Sequence, residues 1–189
     1  MNDVKVIRDF ISQEDTDFFT NYMDNNPDKF TQYLFMDNPN RYAIMFGNDE
    51  VFKEKSNHTL DLVSDIEPKV REYFDKVCTS IKELYNNEKD LYVASWWLAR
   101  QYKDSFVHPH EDSGSFNKHF KYSTIVYLNN LSSGGQLEFP NLKYTYNPSA
   151  REMVSFPSKG SDYVHMVPNI GGDRYSMTYW LTEDPAFAI

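Results

Sequence analysis

From residue 91 onward the chain is a succession of short apolar and aromatic runs, each closed by turn-forming residues. No other feature limits its possible folds as strongly. The runs are Leu91–Tyr102, Phe120–Leu128, Gln136–Phe139, Lys143–Tyr146, Glu152–Phe156, Val164–Val167 and Arg174–Leu181. Turn clusters part them, among them Ser132-Ser133-Gly134-Gly135, Asn147-Pro148, Pro157-Ser158-Lys159-Gly160 and Gly171-Gly172-Asp173. Many short strands at this spacing predict a sandwich or barrel.

The first half reads differently. Val4–Phe10 is a candidate first strand. Ser12-Gln13-Glu14-Asp15 resembles a capping box, and the helix it opens should turn Phe18, Phe19, Tyr22 and Met23 inward and stop at Pro27. A second helix should start in Ser64-Asp65-Ile66-Glu67-Pro68, bury Ile66, Val70, Tyr73, Phe74, Val77, Ile81 and Leu84, and end near Asn86-Asn87. Between them, residues 30–55 are aromatic and punctuated by Asn38-Pro39-Asn40 and Gly47, a candidate loop or hairpin over a site. The expected plan is an α+β fold in one domain, 1–189, with helical support over roughly 1–90 and a β-core over roughly 91–189. There is no repeat and no obvious linker.

Composition narrows the function classes. The 28 acidic and 19 basic residues give a net charge of -9, which disfavours nucleic acid and anionic membrane surfaces as partners. Fourteen Tyr, 14 Phe and 3 Trp argue against disorder. Cys78 is the only cysteine, so intramolecular disulfides, multi-Cys zinc knuckles and iron–sulfur clusters are excluded. Its place on the apolar side of the second helix reads as packing. No apolar run approaches the ~20 residues of a membrane span, and Met1-Asn2-Asp3-Val4-Lys5 lacks the apolar stretch of a signal peptide. A cytoplasmic location is expected.

Chemistry concentrates around Phe106-Val107-His108-Pro109-His110-Glu111-Asp112. Residues two apart on a strand share a face, so His110 and Asp112 can aim an imidazole and a carboxylate at one point. His165 lies in a separate strand candidate. Two His and one carboxylate form the facial triad of non-haem Fe(II) oxygenases, which leaves positions open for a chelating co-substrate and for O2 or water. Arg174 opens the apolar run Tyr175–Leu181 beyond Gly171-Gly172, and a hairpin would return it near His165. A guanidinium entering an apolar strand needs an anion, and Arg binds carboxylate through a planar fork. 2-Oxoglutarate, which chelates iron at one end and carries a carboxylate at the other, meets both needs. Zinc hydrolysis on the same three ligands stays open but leaves Arg174 unexplained. A cupin would carry Glu four or five residues after its second His, where Gly114 and Ser115 stand. His108 belongs near the site or at its rim. His58 and His119 read as surface or loop residues, and Lys118, His119 and Lys121 as a solvated loop.

Four segments carry a family resemblance: Gln101-Tyr102 followed by Pro109-His110-Glu111-Asp112; Ile125-Val126-Tyr127-Leu128-Asn129; Gly134-Gly135-Gln136-Leu137-Glu138-Phe139-Pro140; and His165 with Arg174-Tyr175-Ser176-Met177-Thr178-Tyr179-Trp180. In order and spacing they resemble the 2-oxoglutarate- and Fe(II)-dependent dioxygenases, most closely the prolyl 4-hydroxylase-like branch. The resemblance implies a double-stranded β-helix, or jelly roll, flanked by helices. It implies His110, Asp112 and His165 as Fe(II) ligands and Arg174 as anchor of the distal carboxylate of 2-oxoglutarate. Tyr127 would hydrogen-bond to that carboxylate. Tyr102, Thr178 and Leu137 would also lie in the co-substrate region, and Trp180 near the target residue. It implies hydroxylation of a C–H bond with O2, best of a prolyl residue in a protein or peptide. The alternatives are a free amino acid or other small molecule, and, in another class, a catalytically silent binding module. Collagen-type relatives carry Lys where Arg174 stands, which weakens any claim of collagen-like substrates.

Overall fold

The computed structural model describes residues 3–32, 40–47, 63–114 and 117–189. Helix α1 (Gln13–Asn25) starts where the sequence predicts, with the Ser12 hydroxyl accepting from the Asp15 amide. Thr16, Phe19, Tyr22 and Met23 form its buried stripe. Phe18, expected inward, is 39% exposed; it sits at the edge of that stripe and packs edge-on against Phe19. Helix α2 (Glu67–Leu84) buries Val70, Tyr73, Phe74, Val77 and Ile81.

The strands are β1 (Lys5–Ile7), β2 (Thr31–Gln32), β3 (Arg41–Gly47), β4 (Tyr92–Gln101), β5 (Val107–His110), β6 (Tyr122–Tyr127), β7 (Leu137–Phe139), β8 (Tyr144–Tyr146), β9 (Met153–Pro157), β10 (His165–Val167) and β11 (Arg174–Thr182). Every run predicted after residue 90 holds one of them. One sheet has the order β1-β9-β6-β11-β4-β3-β2 and the other β5-β10-β7-β8, with antiparallel pairing throughout.

Two expectations need correction. The first is the division into a helical half and a β half. Strands β1, β2 and β3 come from the first half and complete the large sheet. β3 falls inside the segment read as a covering loop or hairpin; it does pair antiparallel with β2, but it also pairs with β4 from Arg41↔Gln101 to Gly47↔Ser95, and Ala43–Phe46 are buried. Its apolar residues are core because both of its faces are covered. Residues 33–39 and 48–55 of that segment, and His58, lie outside the described residues. The second is the hairpin between the His165 run and Arg174. β10 uses its edges on β5 and β7, and β11 uses both of its edges on β4 and β6. No edge is left for them to pair, so residues 168–173 cross from one sheet to the other.

The period of two along β11 separates structure from site. Tyr175, Met177, Tyr179 and Leu181 face the helices, in a core with Trp96, Leu98, Ile44, Phe46, Phe19, Met23 and the buried stripe of α2. Arg174, Ser176, Thr178 and Trp180 occupy the opposite face. There Ile125, Tyr127, Val154 and Phe156 of the large sheet pack on Leu137, Phe139, Tyr146 and Val167 of the small one. Tyr127, Leu137, Arg174 and Thr178 therefore fall between two sheets.

Gly134 belongs to the loop leading to β7 and fits against the crossing segment. Its φ is +64°, and a Cβ there would lie 2.0 Å from the Asn169 carbonyl oxygen. Gly134→Ala should therefore lower the unfolding free energy by about 2 kcal/mol or more, from backbone strain and backbone overlap together. Urea denaturation checks this; a variant as stable as the parent would show that residues 168–171 move aside freely.

Candidate metal centre

His165 opens β10 and is the register partner of His110, the last residue of β5. The two imidazoles therefore face each other across one strand pair, with ring centroids 4.4 Å apart. Asp112 follows two residues after His110 and turns its carboxylate toward both rings. Its Oδ1 is 3.3 Å from His110 Nε2 and its Oδ2 is 3.7 Å from His165 Nε2. Among the described residues these three form the single His/Cys/Asp/Glu group able to hold a metal ion, with ligand atoms within 4.8 Å of one another.

Each imidazole is oriented by a backbone carbonyl two residues before it. His110 Nδ1 lies 2.8 Å from His108 O, and His165 Nδ1 lies 3.0 Å from Tyr163 O. A carbonyl only accepts, so Nδ1 carries the proton in each neutral ring and the Nε2 lone pair is left for the shared point. Such outer hydrogen bonds fix ring orientation at metal sites. His108 contributes this carbonyl, while its own ring is exposed and lies edge-on to Phe106.

Burial alone would push the Asp112 carboxyl up, but His165, His110 and the Ser123 hydroxyl outweigh it and hold it well below the usual carboxylate range. Burial pushes the His165 imidazole down to about 4, against the attraction of Asp112. His110 moves the other way: burial lowers it, but its hydrogen bond and charge interaction with Asp112 leave it raised above 6.5. At neutral pH this is one carboxylate with at least one neutral imidazole, the donor set that a divalent cation of the Fe(II) type requires.

Across from this group, Arg174 is 4% exposed, and its charge reaches His165. Its Nη1 donates to Gln101 Oε1, and its guanidinium carbon stands 5.1 Å from the centre of the Tyr127 ring. Among the described residues no carboxylate pairs with Arg174. Its Nε, the Tyr127 hydroxyl and the Ser176 hydroxyl are buried with no hydrogen-bond partner there. Burial pushes the Tyr127 hydroxyl up, so it stays protonated and able to donate. A buried cation with unpaired donors beside it fits a small dicarboxylate and would be costly without an anion.

The other predicted residues are distributed as follows. Thr178 is half-buried on the Arg174 face, in register with Trp97 and Ile125. Leu137 is fully buried with Ile125 and Tyr127. Trp180 packs edge-on to Trp97 at 4.9 Å and stacks on Phe120. Tyr102 lies just past β4, its ring against Tyr42 and under the Arg100 guanidinium. His119 stacks flat on Phe187. Burial pushes the Cys78 thiol up to about 12, in keeping with its expected packing role. Sequence reasoning missed Gln101, Ser123 and Arg41, whose charge reaches His110. Gln101 and Ser123 could have been found as polar residues at inward positions of apolar strands; Arg41 lies in the segment read as a loop or hairpin.

Residues 97–182 match the family model of the 2OG-Fe(II) oxygenase superfamily. The match runs from β4 to the end of β11 and includes His110, Asp112, His165 and Arg174. No curated protein matches the chain. Among solved structures, a Pseudomonas putida prolyl-4-hydroxylase is similar, with a TM-score of 0.71 at 16% identity over 97% of this chain and 94% of that one. A viral collagen prolyl hydroxylase from Paramecium Bursaria Chlorella virus-1, in its 2OG complex, gives 0.62 at 16% identity over 97% of both chains. A Trichoplax adhaerens prolyl hydroxylase with a hypoxia inducible factor oxygen degradation domain peptide gives 0.62 at 16% identity over 97% and 84%. At this identity the likeness is one of fold.

Metal binding should weaken as pH falls, because each imidazole must shed its proton to bind. His165 is already neutral down to about pH 4, so the competing proton is that of His110, whose pKa is raised. Anaerobic Co(II) titration at several pH values should show affinity falling with a slope of one proton between about pH 6.5 and 5. A two-proton slope would mean that both imidazoles are charged there.

Proposed function

We propose that the chain, prolyl hydroxylase-like in fold, is a 2-oxoglutarate- and Fe(II)-dependent dioxygenase that hydroxylates a prolyl residue of a protein or peptide. We read the two sheets as a double-stranded β-helix within one domain, His110, Asp112 and His165 as the iron ligands, and Arg174 as the anchor of 2-oxoglutarate. The observation that carries this reading is the combination between the sheets: a His–Asp–His group and, beside it, a buried guanidinium with no carboxylate partner among the described residues. The prolyl substrate is supported by the prolyl hydroxylases among the similar folds and by Trp180 beside Trp97 on the site face.

The bound iron, 2-oxoglutarate and O2 supply the oxidising chemistry, which places one oxygen atom in the substrate C–H bond and the other in succinate, with release of CO2. The chain supplies position and charge. The carbonyls of His108 and Tyr163 hold the imidazoles with Nε2 toward the shared point. Asp112 stays ionised through the physiological range and offsets metal charge. Arg174 and the Tyr127 hydroxyl would be the donors that hold the distal carboxylate. Trp97, Phe120 and Trp180 form a buried aromatic cluster, with Trp97 and Trp180 on the Arg174 face of the large sheet.

Anaerobic visible absorption with Fe(II) and 2-oxoglutarate tests the assignment. The parent protein should develop a metal-to-ligand charge-transfer band, and His110→Ala should lose it. Arg174→Ala should need roughly 10- to 100-fold more 2-oxoglutarate, the worth of a lost charge-assisted hydrogen bond in a buried site. Succinate release should then respond to proline-containing peptides. A response to free amino acids alone would move the substrate to the small-molecule class, and no band in the metal-loaded parent would refute the co-substrate site.

A further inference from the structure

Gln101 ends β4 on its inward face, fully buried, and is the register partner of Arg174 on one side and of Arg41 on the other. Side chains directly opposite in an antiparallel sheet lie within reach of each other. The Gln101 amide uses that position fully. Its Oε1 accepts from Arg174 Nη1, and its Nε2 donates to Ser105 Oγ at 3.2 Å. Guanidinium nitrogens only donate, so the amide oxygen must face Arg174 and the amide nitrogen must face Ser105.

Ser105 is itself fixed. Its amide donates to Tyr102 O, and its carbonyl accepts from the Ile170 amide at 2.9 Å. The Asp104 amide returns a bond to Ile170 O at 2.8 Å. Residue 170 lies in the segment that crosses from His165 to Arg174. The amide is thus braced against the connection that joins the metal group to the anchor.

From this geometry we propose that Gln101 is the positioning residue of the co-substrate site: it aims the Arg174 fork while leaving its charge unspent. The inference rests on the reading of Arg174 as the 2-oxoglutarate anchor. With Nη1 tied to Gln101, the edge left for an anion is that of Nε and Nη2, and Nε is the buried guanidinium nitrogen without a partner among the described residues. The neutrality of the amide matters as much as its geometry. A carboxylate at residue 101 would also accept from Nη1, and more strongly, but it would cancel the charge that the distal carboxylate needs. An ordinary structural hydrogen bond would be improved by that change; an aiming device would be ruined by it.

The two roles therefore predict opposite outcomes for Gln101→Glu. Metal-loaded protein is titrated anaerobically with 2-oxoglutarate and, separately, with 2-oxobutanoate, which lacks the distal carboxylate, with the charge-transfer band as readout. Gln101→Glu should raise the 2-oxoglutarate requirement by about tenfold or more and leave the 2-oxobutanoate requirement within about twofold, so the preference between them collapses. Its unfolding midpoint without co-substrate should be no lower than the parent's. Gln101→Met, which removes the acceptor but adds no charge, should raise the 2-oxoglutarate requirement less than Gln101→Glu does. Unchanged 2-oxoglutarate binding in Gln101→Glu, or equal loss of both keto acids, would overturn the proposal. Should Gln101→Glu not fold, Ser105→Ala removes the brace; it should raise the 2-oxoglutarate requirement about threefold or more at unchanged Fe(II) affinity, and no rise would overturn the proposal. A parent protein with no preference for 2-oxoglutarate over 2-oxobutanoate would instead fail at Arg174 itself, which is a different result from a parent with preference and an unaffected variant.

Discussion

β11 is hydrogen-bonded along both edges, to β4 and to β6, and covered on both faces. Everything else in the structure takes its place from that strand. Its edges are saturated, so no later or earlier run can pair with it, and the small sheet has to form by itself and stack on top. Its alternation then assigns one set of side chains to the helix core and the other to the layer between sheets. A slip of one residue in register would exchange Arg174 and Tyr175, burying a hydroxyl against the helices and turning the guanidinium out. The nine pairs from Arg174↔Gln101 to Thr182↔Tyr92, with one irregularity after Trp180, hold that register. The position of the buried charge is thus a consequence of strand pairing.

The small sheet performs a similar service for the proposed iron ligands. β5 and β10 are short, four and three residues, and pair antiparallel so that His110 and His165 meet. Short strands leave little room for error, and the carbonyls of His108 and Tyr163 supply the remaining precision by gripping Nδ1. The electrostatic arrangement is asymmetric. His165 is buried and lowered, His110 is more open and raised, and Asp112 is held ionised between them. This group gathers negative charge on the small sheet's side, while Arg174 and Arg41 hold positive charge on the large sheet's side.

Much of this was legible in the chain. The strand runs after residue 90 were readable because apolar runs and turn clusters alternate without ambiguity, and α1 because Ser12 and Pro27 mark its ends. His110, Asp112 and His165 stood out because metal-binding residue types are scarce here, with five His in all. Arg174 stood out because a charge at the head of an apolar strand demands a reason. Other features were hidden. β3 was legible only as part of a loop or hairpin because Asn38-Pro39-Asn40 and Gly47 frame it, and its longer pairing partner β4 begins 45 residues further on. Gln101 was quoted only as part of a motif, since a lone Gln has no signature until its neighbours across the sheet are known.

The sequence by itself determined the seven apolar strand runs after residue 90, the two helices and the chemical types at the site, because these depend on local periodicity, local turn chemistry and residue identity. Only the tertiary structure decided which strands share a sheet, that His165 and Arg174 sit on opposing sheets rather than on one hairpin, and which polar group accepts from Arg174. Those choices depend on how a finite number of strand edges are shared among distant segments, and on which buried donors find acceptors once the layers close. Neither quantity is written in any single stretch of the chain.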